Sequence, residues 1–600
     1  MIAKLVRPTF QSHEQGCTLR LTKREDQIMA AQYDCVIRGG TVADGTGSEP
    51  RVADIAIRGA KIVAVGAIEG SGTEEIDAAG KLVTPGFVDI HTHYDGQAIW
   101  SSRMAPSSAH GVTTVVMGNC GVGFAPCRAA DHDLLIKVME GVEDIPGAVM
   151  AEGLPWDWET FPEYLDALDA RACDIDTAVY LPHSPLRVYA MGQRGANREA
   201  ATPEDLGRMR DLAREAVEAG ALGFATSRLH IHRTADGDAI PTYASSEAEL
   251  SAIVDGMKLA GKGIIQAVLD FPDDSWSGVT MLSRLAEQSG RPVTFTLGSG
   301  NSGVEGWRNA LRLVEEANAA GQSITAQVFP RPIGLVLGHT LSFNPFSLCP
   351  TYKAMAGLSH EDKMRELGKP EIRARLLAEK PGESPSMLAL LGRNYDWMFP
   401  LSDPPDYEPS AESSVAARAR RLGVTPEEVI YDMLLADDGK AMVYVALGNF
   451  YNASLNSVRE MMQHKDTVLG LGDGGAHYGM ICDASYPTFM LAHWTRDRKD
   501  GRLPVAWAVK ALANDPARAV GLNDRGILAA GYKADINIID YDALRLHAPV
   551  VVHDLPAGGR RLDQTAAGYD VMMVSGKVVY RGGQPTGELP GRLVRGAQGV

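Results

Sequence analysis

The chain predicts an α/β fold: a (β/α)8 TIM-like barrel with a small β-sandwich domain built from both chain ends. Three observations predict it. Eight β-like runs alternate with helical stretches through the middle of the chain. Short strands punctuated by glycine flank that middle on both sides. A histidine pair, His91 and His93, closes the first of the eight runs.

In chain order, residues 1–32 have weak periodicity, include a second methionine, Met29, and read as an N-terminal extension. Residues 33–83 hold β runs at 34–38, 54–58 and 61–65, separated by Gly39-Gly40 and followed by Gly66. The same style returns at 534–540 and 571–580, so 33–83 and 526–600 are expected to form one composite β domain. Residues 84–525 are assigned to the barrel, with β runs at 87–93, 112–120, 177–181, 222–227, 264–270, 293–297, 324–329 and 468–473. Its clearest helix is 203–219, with Thr202 as N-cap, Pro203 in the first turn and Gly220 as terminator. Leu206, Met209, Leu212, Ala213, Ala216 and Val217 form its apolar stripe. Residues 441–447 are a candidate ninth strand, and the Pro-, Gly- and aromatic-rich stretch at about 330–466 reads as an insertion that lids the mouth.

Composition narrows the partners. Forty-five per cent hydrophobic residues over 600 positions support a large core. A net charge of −17 without a Lys/Arg-rich run argues against nucleic acid and anionic membrane as partners and says little about a small-molecule amide substrate, which the chemistry below suggests. The seven cysteines are scattered, as expected for reduced thiols in a cytoplasmic protein. No apolar run reaches signal-peptide or transmembrane length. An acidic barrel of this size is further expected to form a homo-oligomer.

The chemistry gathers at the predicted strand ends, where barrels place their active sites. About 0.4 His-x-His pairs are expected by chance at this composition, so the pair draws its weight from its position after an apolar β run. Alternate strand residues share a face, so both imidazoles aim at one point, as metal ligands do. Cys120 ends the second run in Gly-Asn-Cys-Gly, and Asp473 ends the last in Gly-Asp-Gly-Gly-Ala-His. First and last strands are neighbours in a closed barrel, so these residues meet across the long chain separation. The set suits metal-assisted amide hydrolysis, with zinc activating water and Asp473 acting as general base and then acid. The alternatives are a turn-capping role for Asp473 and a small buried hydrophobe at Cys120.

Taken together, residues 82–93, Gly-Asn-Cys-Gly (118–121), Gly-Val-Glu-Asp-Ile-Pro-Gly (141–147) and the 524–536 segment resemble the amidohydrolase superfamily, in its N-acyl-D-amino-acid deacylase branch. The resemblance spans roughly 33–582. It implies a barrel with one or two zinc ions, His91, His93, Cys120 and Asp473 as metal ligands, and deacylation of N-acyl D-amino acids. It also implies two more ligand histidines, on the fifth and sixth strands, but here those strands carry Gln266 and Thr296, which are poor zinc ligands. Either the four residues hold the metal or His183, His230, His232 or His477 stands in. His183, Arg187, Arg228 and His232 are candidate substrate contacts, the arginines as bidentate partners for a substrate carboxylate. Phe343, Phe346, Tyr352, Trp397 and Phe399 are candidate walls of an acyl pocket, or simply packing. A cyclic-amide hydrolase of the dihydropyrimidinase type, or a barrel that has lost its metal and its catalysis, are the alternative functions.

Overall fold

The computed structural model describes residues 31–270, 276–300, 306–382 and 393–599. The expected N-terminal extension lies outside these residues except for its last two positions.

Eight parallel strands make the barrel sheet: β1 (Phe87–Asp89), β2 (Val112–Met117), β3 (Asp176–Pro182), β4 (Gly223–Ser227), β5 (Ile264–Val268), β6 (Val293–Leu297), β7 (Ile324–Val328) and β8 (Thr467–Leu469). They pair in chain order from β1 to β8. Beyond the ends of β1 and β8 the ring is tied by two backbone hydrogen bonds, Asp473 N–H to the His91 carbonyl (3.0 Å) and His93 N–H to the Gly474 carbonyl (2.7 Å). Alternation sorts each strand into two faces. Phe224, Ile265, Ala267, Phe295 and Val328 pack outward into the main helix-covered core. Val88, Ile90, Val116, Ala178, Tyr180, Ala225 and Ile264 cluster in the interior.

The helix expected at 203–219 forms over Pro203–Ala219, with Thr202 and Asp205 closing a capping box and Gly220 at its end. The candidate ninth strand is not in the barrel. It forms over Val443–Gly448 and pairs antiparallel with Ile333–Leu337 and Met398–Pro400, a three-stranded sheet inside the insertion. Phe343, Phe346 and Tyr352 pack with Tyr431 and Val445 in the insertion's own core, and Phe399 is buried in the main one, so these aromatics serve packing.

Both chain ends share one nine-stranded sheet. Its seam is the antiparallel pairing of Leu82–Pro85 with Ile536–Ile539, over a core of Ile37, Ile55, Ile57, Val83, Ile538 and Met573. A buried charge network fastens this sheet to the barrel floor. Arg525 and Lys533 both pair with Asp176 on β3 (2.7 and 2.9 Å), and Lys533 also pairs with Asp535 (2.9 Å). The C-terminal segment then crosses the floor, with Thr177 N–H donating to the Arg592 carbonyl and Val594 N–H to the Thr177 carbonyl. Among the described residues, no helix is long and apolar enough to cross a membrane.

Candidate metal centre

The mouth of the barrel is shaped by backbone that ordinary residues avoid. Cys120, Asp473 and His477 all have positive φ (55, 46 and 49°), a left-handed conformation disfavoured for side chains larger than glycine. Neighbouring glycines permit this. At Gly118 (φ +80°) a Cβ would lie 2.5 Å from the Tyr180 carbonyl oxygen, and at Gly475 (φ +85°) one would lie 2.7 Å from that of His93. The Cys120 turn therefore folds inward over the ends of β3, β4 and β5, and the Asp473 turn is pressed against the His pair.

Four donor groups converge as a result. His91 Nε2 and His93 Nε2 lie 3.6 and 3.9 Å from Cys120 Sγ. Each also lies 3.6 Å from Asp473 Oδ1. These spacings lie close to the edge of a tetrahedron, about 3.3–3.8 Å for metal bonds of about 2.0–2.3 Å, so Cys120 and Asp473 are each within ligand reach of both imidazoles. His91, His93 and Cys120 are buried, whereas the Asp473 side chain keeps 23 % of its surface exposed toward the mouth. The set fits a metal with mixed nitrogen, sulfur and oxygen donors.

Groups behind the histidines orient them. His91 Nδ1 donates to Gln327 Oε1 on β7 (2.8 Å), and Gln327 in turn donates to Thr294 Oγ1 on β6 (3.1 Å). That leaves the Nε2 lone pair of His91 free for a ligand role. His93 Nδ1 faces the buried carboxylate of Glu143 at 3.3 Å, and the other oxygen of Glu143 lies 3.5 Å from His477 Nε2. A carboxylate behind a ligand imidazole is the usual partner of its second nitrogen.

Electrostatics follow from burial and from crowding. Burial pushes His91 down to about 4, so it is neutral and able to give a lone pair. Burial also works against a charge on His93, but Glu143, Cys120 and Asp473 outweigh it and hold this imidazole well above its ordinary value. Asp473 is held down to about 2: its burial is overcome by the hydrogen bond from His93 and the charges of both histidines. Burial drives the Cys120 thiol up to about 12, so only a cation among the donors would keep it as thiolate.

Of the residues expected from sequence, His91, His93, Cys120 and Asp473 come together. His232 joins them: its Nδ1 is bonded to Ser227 Oγ (2.9 Å), and burial and the neighbouring imidazoles of His477, His93 and His91 push it down to about 3. His183, Arg187 and Arg228 do not. His183 is bonded to Thr226 Oγ1 (2.8 Å) and Glu249 Oε1 (2.9 Å), and Arg187 is ion-paired to the other Glu249 oxygen. Arg228 donates to the Ser245 carbonyl (2.8 Å) beside Glu247 and Glu249. Arg187 and His183 thus share one buried acid, Glu249, as their partner, while Arg228 has the Ser245 carbonyl. His230 pairs with Asp270 (2.6 Å) on the exposed rim.

Glu143 and Gln327 were not singled out from sequence. Both carried a signal: Glu143 is an acid inside the Gly-Val-Glu-Asp-Ile-Pro-Gly run, and Gln327 interrupts the mostly apolar strand β7.

Comparison with known proteins places the architecture. Residues 74–580 match the profile of the amidohydrolase family. The D-aminoacylase of Alcaligenes xylosoxydans xylosoxydans is 26% identical over 580 residues, covering 94% of this chain and 97% of its own. The N-acyl-D-glutamate deacylase of the same organism is 28% identical over 571 residues, with coverage of 94% and 97%. Among solved structures, an N-acyl-D-glutamate deacylase from Bordetella bronchiseptica, complexed with zinc and a phosphonate inhibitor, shares the fold at a TM-score of 0.61 and 22% identity, covering 94% of this chain and 99% of that one.

Proposed function

Because this chain belongs to the amidohydrolase family, and is an enzyme acting on carbon–nitrogen bonds other than peptide bonds, we propose that it is a metal-dependent deacylase of N-acyl amino acids, with the D-enantiomers as the preferred substrates. The observation that carries this reading is the grouping of His91, His93 and Cys120 at ligand spacing in the mouth of the barrel, with Asp473 3.6 Å from both imidazoles. The names of the full-length relatives, D-aminoacylase and N-acyl-D-glutamate deacylase, support the substrate class. The donor set and the zinc of the Bordetella enzyme support zinc as the metal.

In this reading His91, His93, Cys120 and Asp473 would hold the metal, the imidazoles through Nε2. When bound, zinc supplies Lewis acidity, lowering the pKa of water and polarising a carbonyl oxygen. Asp473 does the proton work. Its Oδ1 faces the two imidazoles, so Oδ2 is the atom that takes the proton of the attacking water. The same oxygen then returns that proton to the leaving nitrogen, without which an amine is too poor a leaving group. Gln327 and Glu143 hold the two imidazoles in register during these transfers. His232, bonded to Ser227 and neighbouring His477 and the His pair, would contact the substrate.

The test is a metal count on purified protein with a hydrolysis screen of N-acyl D- and L-amino acids. The expected result is bound zinc that His91→Ala and His93→Ala both lose, with release of free D-amino acid by the parent enzyme. Protein that takes up no zinc and stays inert toward the panel overturns the proposal. Ring opening of dihydrouracil or hydantoin, with no deacylation, would move the assignment to the cyclic-amide hydrolases.

A further inference from the structure

Strand alternation puts a second group of polar side chains inside the barrel, next to the metal donors. Ile264 belongs to the interior cluster, while Ile265 and Ala267 pack outward, so Gln266 on β5 points inward with Ile264. On β6 the inward pair is Thr294 and Thr296, because Phe295 and Leu297 pack outward. Register fixes the neighbours: Gln266 lies opposite Thr294, and Thr296 opposite Gln327. Gln327 is the residue bonded to His91, so Gln266 and Thr296 flank the hydrogen-bonded chain His91–Gln327–Thr294. The Cys120 turn lies beside Gln266, with Gly121 packed against the backbone of Ala225 and Thr226, and Ala225 is the register partner of Gln266 on β4.

Gln266 is wholly buried and Thr296 is 5% exposed. Yet neither the Nε2 nor the Oε1 of Gln266, nor the Oγ1 of Thr296, has a hydrogen-bond partner among the described residues. Each such group is costly when buried unpaired, and an apolar strand residue would avoid that cost. A carboxamide and a hydroxyl left open beside a hydrolytic centre suit a ligand that has both a donor and an acceptor.

We propose that Gln266 and Thr296 form the subsite that grips the substrate's amide bond, one taking its N–H and the other its C=O. This rests on the deacylase reading above and deepens it. In a trans secondary amide the N–H and C=O point to opposite sides, so two residues on adjacent strands are needed to meet both. A ring amide, held cis, presents them on one side, where the single carboxamide of Gln266 would meet both. The two-residue arrangement therefore selects a linear N-acyl group over a ring.

The experiment compares amide with ester in an enzyme that binds without turnover. Asp473→Asn is titrated calorimetrically with N-acetyl-D-leucine, N-acetyl-D-methionine and N-acetyl-D-glutamate, and with the matching acetoxy acids, which lack the N–H. Gln266→Leu and Thr296→Val are added singly to that background, with metal content and unfolding midpoint checked for each. The expected result is at least about tenfold tighter binding of amide than ester, a discrimination lost in one variant, and weaker carbonyl binding of both probes in the other. A general loss of packing would weaken amide and ester alike and leave their ratio unchanged. Equal binding of amide and ester by Asp473→Asn, or unchanged affinities in both variants, overturns the subsite and leaves the deacylase reading standing. Binding of none of the N-acetyl amino acids by metal-replete protein overturns the deacylase reading and the subsite with it.

Discussion

Glu143 offers the sharpest probe of the proposed metal centre, because it faces the proposed ligand His93 without being a ligand itself. Its Oε1 lies 3.3 Å from His93 Nδ1 and its Oε2 lies 3.5 Å from His477 Nε2, in a site where the carboxylate is only 1% exposed. Glu143→Gln keeps the shape and one acceptor oxygen but removes the charge that favours a proton on His93 Nδ1. Loss of such an outer-shell partner weakens metal binding by about 10–100-fold, or about 1.4–2.7 kcal/mol. The isosteric change should fall near the lower end and Glu143→Ala near the upper. The equivalent change behind His91, Gln327→Leu, breaks a neutral hydrogen bond of about 0.5–1.5 kcal/mol, or roughly 2–13-fold. The predicted order of zinc affinity is therefore wild type, Gln327→Leu, Glu143→Gln, Glu143→Ala, measured by competition against a chromophoric chelator. Zinc affinities within twofold of wild type for both Glu143 variants, with unfolding midpoints intact, would refute the placement of Glu143 behind His93 as a determinant of the site.

Three more predictions concern residues outside the donor set. Arg525→Met leaves Asp176 buried on β3 with one fewer cation, and should lower stability by about 3–5 kcal/mol in urea unfolding; a loss below about 1 kcal/mol would show that the network does not hold the composite sheet to the barrel. Arg187→Ala leaves Glu249 buried with its charge partly uncompensated, so its effect should be a similar loss of stability, whereas a rise in KM without loss of stability would restore the arginine to the substrate. Burial raises Glu408, but Arg498, His493 and the Leu455 N–H override it and hold the carboxylate at about 2. Its stabilisation is therefore present above the unfolded-state value near pH 4.5 and is lost as pH falls toward 2, so Glu408→Gln should flatten the acid-unfolding curve in that window. An acid-unfolding curve identical to wild type would discount the Glu408–Arg498 pair.

The strands and their alternation are written in local pattern. Apolar β runs followed by glycine turns mark the strand ends, and a capped 3.6-residue stripe marks Pro203–Ala219, because both depend on interactions within a few residues. The His91/His93 pair, Cys120 and Asp473 are legible for the same reason: each lies a few residues past the end of a barrel strand, and barrel closure alone brings first and last strand ends together. The candidate ninth strand is equally β-like in sequence, but its partners lie in the insertion, at Ile333–Leu337 and Met398–Pro400, and no local pattern names a strand's partner.

What only the tertiary structure decided is which polar groups face one another. Arg187 and Arg228 sit just beyond strand ends, as a carboxylate clamp would, yet Glu249 arrives from the helix Glu247–Ala260 to pair with Arg187 and His183, and Arg228 donates to the Ser245 carbonyl. Glu143 comes to His93 from the end of the helix His132–Glu143, and Gln327 comes to His91 from β7. Sequence alone determined the barrel, the strand-end chemistry and the family it resembles, since those follow from periodicity and from residue types at element ends. The orientation of each imidazole, the fate of the arginines and the open polar pair at Gln266 and Thr296 depended on long-range packing, because a charge or hydrogen bond is settled by the nearest partner in space and not by the nearest along the chain.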